Sequence, residues 1–331
     1  MQMITDHFGR IHDYLRISLT ELCNLRCFYC MPEEGVPLRD KAEFMRHEEI
    51  LDIASVFVKL GVKKIRLTGG EPLVKGNIEN ILSGLSKLPV ELAITTNGIV
   101  ADKYINALKD NRIKNINVSL DTLNKEKFLK ISRRDYFDKV LNNIRLLIDE
   151  GFNVKLNTVL MRNVNDDEII DFITFSKQHK VHVRFIEFMP FDGNKWSWDK
   201  GVSQKEVIEK AEHFFGKHRV LKINDAPNDT ARNYQIEGFK GSFAIISSVT
   251  NPFCDTCNRI RLTADGKIKN CLFSNSETDL LTPYRNGENI EKYILSSIKN
   301  KKQSRGGMNS FEEFISSSTE HKNRSMITIG G

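Results

Sequence analysis

Several absences narrow this sequence before any motif is considered. No run in its 331 residues approaches the roughly 20 apolar residues of a membrane-spanning helix. The start, Met1-Gln-Met-Ile-Thr-Asp-His, lacks the charged opening and apolar core of a secretory signal. A cytoplasmic chain, whose thiols stay reduced, is the expectation. No repeat or low-complexity tract is visible, so an array or a linker-rich protein is not expected. No cysteine falls outside two groups, Cys23, Cys27, Cys30 and Cys254, Cys257, Cys271, and neither group has a fourth member. Six cysteines permit disulfides on count, but a cytosolic chain of this size does not favour them.

What is present fits a globular protein. A 40% hydrophobic and 28% charged composition supports a sizeable core, with room for one large domain and a smaller one. The net charge of +6 is mild. It fits a solvated basic face, an anionic substrate or weak nucleic-acid contact, and the placement of the charges decides among these.

The first three thiols fall within eight residues, spaced Cys-x3-Cys-x2-Cys. Thiolates bind soft metals. A structural zinc site takes four protein ligands. An iron–sulfur cubane usually takes four cysteines, one per iron, so three leave one iron open to another ligand. A zinc knuckle with a distant fourth ligand is the plainer alternative. For Cys254-x2-Cys257-x13-Cys271, His213 or His218 would have to supply that ligand.

Period-two alternation predicts strands at Tyr14–Leu19, Lys64–Thr68, Leu92–Asn97, Asn115–Asp121, Asn153–Leu160 and Val181–Met189. Helical spacing, stopped by Gly61 and Gly151, predicts helices over Glu48–Leu60 and Phe137–Glu150. Others are expected at Asn77–Lys87, Asp102–Lys109, Asp166–His179 and Ser203–Phe215. Strand–helix alternation gives a parallel sheet with right-handed crossovers. Six units are too few for an eight-stranded barrel. One face of each strand is apolar, and the other carries Arg, Lys, Ser, Thr and Asn, which a packed barrel interior would exclude. The expected fold is α/β, an incomplete (β/α)6 TIM-like barrel with a wet, basic lumen. A smaller C-terminal α+β domain would close its mouth. The polar stretch Asn224–Thr230 marks a boundary, giving 1–220 and 221–331. Strands are expected at Ser242–Val249 and Arg259–Leu262, with a hairpin turn at Ala264-Asp-Gly-Lys. Ser316–Arg324 reads as loose.

The Cys-x3-Cys-x2-Cys loop, with Tyr29 before its last cysteine, resembles the signature of the radical S-adenosylmethionine (SAM) superfamily. Gly69-Gly-Glu-Pro resembles that superfamily's SAM-contacting GGEP motif. More specifically, Cys254-Asp-Thr-Cys-Asn-Arg-Ile-Arg-Leu-Thr-Ala-Asp-Gly-Lys, Asn270-Cys-Leu-Phe and the terminal Gly330-Gly331 resemble the molybdenum-cofactor biosynthesis protein A family, the GTP 3′,8-cyclases. The similarity runs nearly end to end. It passes through Leu15-Arg-Ile-Ser, Thr95-Thr-Asn-Gly, Asn117-Val-Ser-Leu-Asp, Arg162-Asn-Val-Asn-Asp and Arg184-Phe-Ile-Glu-Phe-Met-Pro. Ser132-Arg133, where many members read Gly-Arg, is a small departure.

The resemblance implies two 4Fe–4S clusters, on Cys23, Cys27, Cys30 and on Cys254, Cys257, Cys271, with SAM as co-substrate. Tyr29, Gly70, Ser119 and Met189 would contact SAM. Arg16, Arg66, Thr95, Lys155, Arg184, Arg259, Ile260 and Arg261 would bind GTP, and Arg16, Gly330 and Gly331 would serve catalysis. An adenosyl radical would take the ribose 3′ hydrogen, and the sugar would close onto C8 of guanine. The product, 3′,8-cyclo-7,8-dihydro-GTP, would pass to cyclic pyranopterin monophosphate synthase. A reductant for the cluster is implied, and a homodimer is left open. No nucleic-acid or membrane partner is expected. Two rivals stand beside this reading. One is a different radical SAM enzyme with an auxiliary cluster, though peptide-modifying ones usually carry more C-terminal cysteines. The other is a zinc-stabilised nucleic-acid-binding module, which lacks the aromatics that single-strand binders interleave with basic residues.

Overall fold

The computed structural model describes residues 3–32, 35–37, 39–318 and 323–331. Six strands form in the expected places: β1 (Tyr14–Ser18), β2 (Lys64–Thr68), β3 (Glu91–Thr96), β4 (Asn115–Ser119), β5 (Asn153–Leu160) and β6 (His182–Glu187). Helices α1 (His47–Lys59), α2 (Ile78–Leu85), α3 (Ile105–Asp110), α4 (Lys125–Ser132), α5 (Phe137–Asp149), α6 (Ile169–Phe175) and α7 (Gln204–Phe215) alternate with them. The helix at α4 lies outside the sequence expectation. It starts where the Asn124 side chain accepts the Lys127 amide, and it buries only Phe128 and Ile131 as large apolar groups.

Alternation along the strands sorts the side chains. Leu15, Ile17, Ile65, Leu67, Ile94, Ile116, Val118, Leu156, Val183 and Phe185 are all buried and form one continuous core with the helices. In α1, Ile50, Ile53, Ala54 and Phe57 supply the facing stripe, as 3.6-residue spacing requires. The other strand face carries Arg16, Arg66, Thr95, Asn117, Lys155 and Arg184, brought together by in-register pairing such as Arg16 with Arg66 and Asn117 with Lys155.

The C-terminal part shares this sheet. It adds β7 (Val220–Lys222), β8 (Arg232–Ile236), β9 (Ser242–Ile246), β10 (Arg259–Leu262), β11 (Lys267–Lys269) and β12 (Thr278–Asp279). The order is β12-β11-β10-β1-β2-β3-β4-β5-β6-β9-β8-β7. Strands β10 and β9 lie parallel to β1 and β6, so they lengthen the parallel wall beyond the six βα units. The remaining strands attach antiparallel at both edges. The expected hairpin turn joins β10 and β11, where the Thr263 amide donates to the Lys267 carbonyl.

The tail corrects one expectation. Three further helices, α8 (Leu281–Arg285), α9 (Glu291–Lys299) and α10 (Phe311–Ser318), follow the sheet, and Ser316 lies within α10. Residues 319–322 fall outside the described residues. Arg324 is fixed by Asp265 at 2.9 Å and Glu277 at 2.6 Å, so ion pairing anchors a stretch whose polarity suggested looseness. A last turn, α11 (Met326–Ile329), buries Ile327 and Ile329.

Phe185 ties β6 to α6 and β9 through edge contacts with Phe172 and Phe243 at centroid distances of 6.2 and 6.5 Å. Phe185→Ala is expected to cost about 3–5 kcal/mol in urea unfolding, the range for deleting a core phenylalanine. Phe214→Ala, at a side chain 65% exposed, should change stability by no more than about 0.5 kcal/mol.

Candidate active site

The first cysteine loop leaves the C-terminal end of β1, where active sites of α/β barrels gather. Cys23, Cys27 and Cys30 are unpaired and partly buried. The Cys27 carbonyl accepts the amides of Cys30 and Met31 at 3.0 and 3.1 Å, which winds the loop inward. Burial raises the thiol pKa at all three positions. These thiols therefore stay protonated until a soft metal draws out the thiolate.

Gly69 and Gly70 pack on that loop. The Gly70 amide donates to the Thr20 carbonyl at 2.8 Å. A Cβ on Gly70 would stand 2.4 Å from the Leu22 carbonyl oxygen, so a side chain would push the cysteine loop away. The next residue, Glu71, is fully buried and was not assigned a role by sequence reasoning. Its carboxylate accepts the Asn97 amide at 2.6 Å and the Thr96 hydroxyl at 2.8 Å, and burial pushes its pKa up to about 7. Asn97 in turn donates to Asn24 inside the cysteine loop at 2.6 Å. Tyr29 donates to Asp121 at 2.7 Å, and burial lifts that carboxyl to about 6. Period-two alternation over 115–121 puts Asp121 on the same face as Asn117 and Ser119, but its tie to Tyr29 is a nonlocal contact. Ser119 and Met189, both partly buried, stand at the ends of β4 and β6 around the same opening.

Below this opening the lumen is cationic. Arg16 lies in register with Arg66 on one side and Arg261 on the other, and Tyr14 lies in register with Arg259. Burial, together with Arg66, brings Arg184 down to about 9; burial and Arg259 bring Arg261 to about 10; burial and Arg184 bring Lys155 to about 8. Burial alone would raise the Tyr14 phenol, yet Arg66 and Arg16 hold it at about 7, and Arg66 Nε donates to its oxygen at 2.6 Å. None of these six cations has a carboxylate partner among the described ion pairs. Arg16 Nε, Ser18 Oγ, Thr95 Oγ1, Asn117 Oδ1, Arg184 Nε and Arg259 Nη1 are buried with no hydrogen-bond partner. Buried polar groups of this kind call for a ligand or water. Ile260 is placed differently. Its side chain is fully buried on the core face, so any part it has in substrate binding falls to its main chain.

The second triad lies at the opposite end of the same strands. Cys257 comes just before β10, and Cys271 just after the antiparallel β11. At about 3.3 Å per residue, the five residues of β1 span roughly 13 Å between the two ends. Arg10 clamps this region, donating to the carbonyls of Cys254 and Gln303 at 2.7 Å each, while Asp6 holds its Nε. Burial would raise the Cys257 thiol, but Lys301 and Arg259 bring it below its usual value. His213 and His218 are exposed. Among the described residues no three His, Cys, Asp or Glu side chains converge as ligands of a single ion. Each triad offers three thiols and no fourth cysteine, where a structural zinc site takes four protein ligands and a cubane can leave one iron open.

The tail enters this site. The Gly330 carbonyl accepts from Arg261 Nη1 at 2.8 Å. Gly330 has φ +87°, and a Cβ there would stand 2.8 Å from Ser18 Cβ and from Thr68 Oγ1, both on the lumen side. Gly331 is exposed.

Comparison with known proteins places the chain in a family. Residues 17–176 match the radical SAM superfamily, and residues 181–306 match the Molybdenum Cofactor Synthesis C family. The mitochondrial GTP 3′,8-cyclase of Arabidopsis thaliana is 47% identical over 99% of this chain and 84% of its own length. The GTP 3′,8-cyclase of Peptoclostridium acidaminophilum is 42% identical, covering 99% and 98%. Molybdenum cofactor biosynthesis protein 1 of Homo sapiens is 45% identical, and this chain spans 51% of it. Among solved structures, Streptococcus suis SuiB bound to S-adenosylmethionine superposes with a TM-score of 0.61 at 16% identity, covering 88% of this chain and 69% of that one, a likeness of fold. No helix among the described residues is long and apolar enough to cross a membrane. With both family matches in place and near-complete alignment to two GTP 3′,8-cyclases, this chain belongs to the GTP 3′,8-cyclase family of the radical SAM superfamily.

Proposed function

We propose that this protein is a radical SAM GTP 3′,8-cyclase that makes 3′,8-cyclo-7,8-dihydro-GTP, the first step of molybdenum cofactor biosynthesis. The observation that carries this reading is the row of unpaired lumen cations between two three-cysteine ends. A nucleoside triphosphate supplies the negative charge that these cations lack. Cys23, Cys27 and Cys30 would hold one 4Fe–4S cluster with SAM, and Cys254, Cys257 and Cys271 the other. Together these groups supply one-electron reduction and hydrogen abstraction when bound. The chain's own part is positioning. Glu71 and Asn97 set the first cysteine loop, and Asp121 sets Tyr29. Arg66 and Arg184 face the lumen with Lys155 and Thr95. Arg259 and Arg261 present guanidiniums from β10, a geometry suited to phosphate oxygens. Gly330 closes the upper end against Ser18 and Thr68, excluding bulk water.

Residues 1–220 would act as the core that holds SAM, and 221–331 as the part bringing the second triad, with the tail. The product would pass to cyclic pyranopterin monophosphate synthase. A cytoplasmic location and an external reductant complete the proposal. The direct test is anaerobic incubation with GTP, SAM and dithionite. Cyclised nucleotide and 5′-deoxyadenosine should form together, and deoxyadenosine without cyclised nucleotide would contradict the reading.

The two triads should separate. Cys27→Ser should abolish SAM cleavage and keep GTP binding, whereas Cys271→Ser should weaken GTP binding and leave residual SAM cleavage. Circular dichroism and iron content distinguish this from unfolding. Arg259→Ala or Arg261→Ala should cost about 1.5–3 kcal/mol of GTP affinity by calorimetry, the range for a hydrogen bond to a charged group. Guanosine should bind variant and parent alike. Deleting Gly330 and Gly331 should leave iron content and GTP binding largely intact while product formation is lost.

A further inference from the structure

Lys301 follows α9 and is 4% exposed, yet none of the described ion pairs gives it a carboxylate. Its Nζ donates to the Arg259 carbonyl at 3.0 Å and lies 3.5 Å from Cys257 Sγ. Arg10 holds the following residues in place, donating to the Lys302 carbonyl at 2.9 Å and to Gln303 at 2.7 Å. The Arg305 amide points at Cys254 Sγ at 3.4 Å. Two sulfurs of the second triad therefore each receive a donor from the 301–305 segment, and one of those donors is an ammonium.

A buried ammonium without a counter-ion is costly, and removing its partner leaves the charge unpaid. The carbonyl of Arg259 is a dipole and does not neutralise it. The thiolate of Cys257 does, and a cubane held by three thiolates is anionic as a whole. Such a cluster becomes more negative when it takes up an electron, with no bond made or broken. Hydrogen bonds and fixed charge at the ligand sulfurs are among the groups that set its reduction potential. We infer that Lys301 is a tuning residue of the second cluster, placing a buried positive charge at Cys257 Sγ so that the cluster is easier to reduce. This rests on the reading that the second triad holds a cluster, and it assigns to Lys301 a role beyond holding β10.

The test is a dithionite titration of the anaerobic, cluster-loaded full-length protein, followed by electron paramagnetic resonance. The second cluster is identified as the signal that Cys271→Ser removes. Lys301→Met should lower the reduced-to-oxidised ratio about tenfold at a fixed potential, about 59 mV for one electron. Lys301→Arg, which keeps the charge, should stay near the parent. A loaded Met variant with an unmoved potential overturns the inference. Should Lys301→Met fail to retain iron, Lys301→Gln keeps a neutral donor. The same fall in Gln supports the inference, and an unmoved potential overturns it. If only the Arg variant retains iron, the charge itself is required, which supports it. An Arg variant without the second cluster overturns it. Parent protein that binds no iron at Cys254, Cys257 and Cys271 would instead defeat the underlying functional reading.

Discussion

Mutual repulsion among Arg16, Arg66, Arg184, Arg259, Arg261 and Lys155 is the constraint on which the rest of the structure depends. Elsewhere the chain pairs its charges. Arg324 meets Asp265 and Glu277, and Arg285 meets Glu49. In the lumen that pattern stops. Burial and neighbouring cations lower the pKa values of Arg184, Arg261 and Lys155 together. A protein does not gain stability from such an arrangement; it keeps a site poised for an anion. The sheet tolerates the strain because its other face buries an unbroken apolar core against the helices.

The two ends of the lumen are built differently. At the upper end, backbone contacts dominate: Gly70 lies against Leu22, and Glu71 accepts the amides of Leu73 and Asn97. At the lower end, long cationic side chains reach the second triad from outside, Arg10 from the N-terminal segment and Lys301 from beyond α9. The tail joins the two ends, since Arg261 on β10 holds Gly330 beside Ser18 and Thr68 at the top of β1 and β2. One strand pair, β1 with β10, therefore carries the geometry that relates both triads to the lumen.

Much of this was legible in the sequence because it is local. Strand alternation alone puts Arg16, Arg66, Thr95 and Lys155 on one polar face, and the thiol spacings pick out both triads, but not that they lie at opposite ends of the strands. What escaped was nonlocal. Pairing of β10 with β1 joins residues far apart in the chain, and no local pattern encodes it. Likewise, nothing near Glu71 shows that its carboxylate will cap the turn at Asn97, and nothing near Lys301 shows that its ammonium will meet Cys257. Ile260, between the two arginines, turns its side chain into the core as the strand period requires, which leaves its main chain to face a substrate. Ser316–Arg324 shows the limit of composition, since Arg324 finds two carboxylates that distance in sequence had hidden.

On the proposed function, an anion-seeking lumen lies between two iron–sulfur centres at opposite ends of β1 and β10. Anomalous diffraction at the iron edge, from crystals grown anaerobically with GTP, tests it most directly. Two iron peaks are predicted, one beside Cys23, Cys27 and Cys30 and one beside Cys254, Cys257 and Cys271, with triphosphate density against the lumen arginines between them. A zinc edge at either triad, or triphosphate bound outside the lumen, would contradict it.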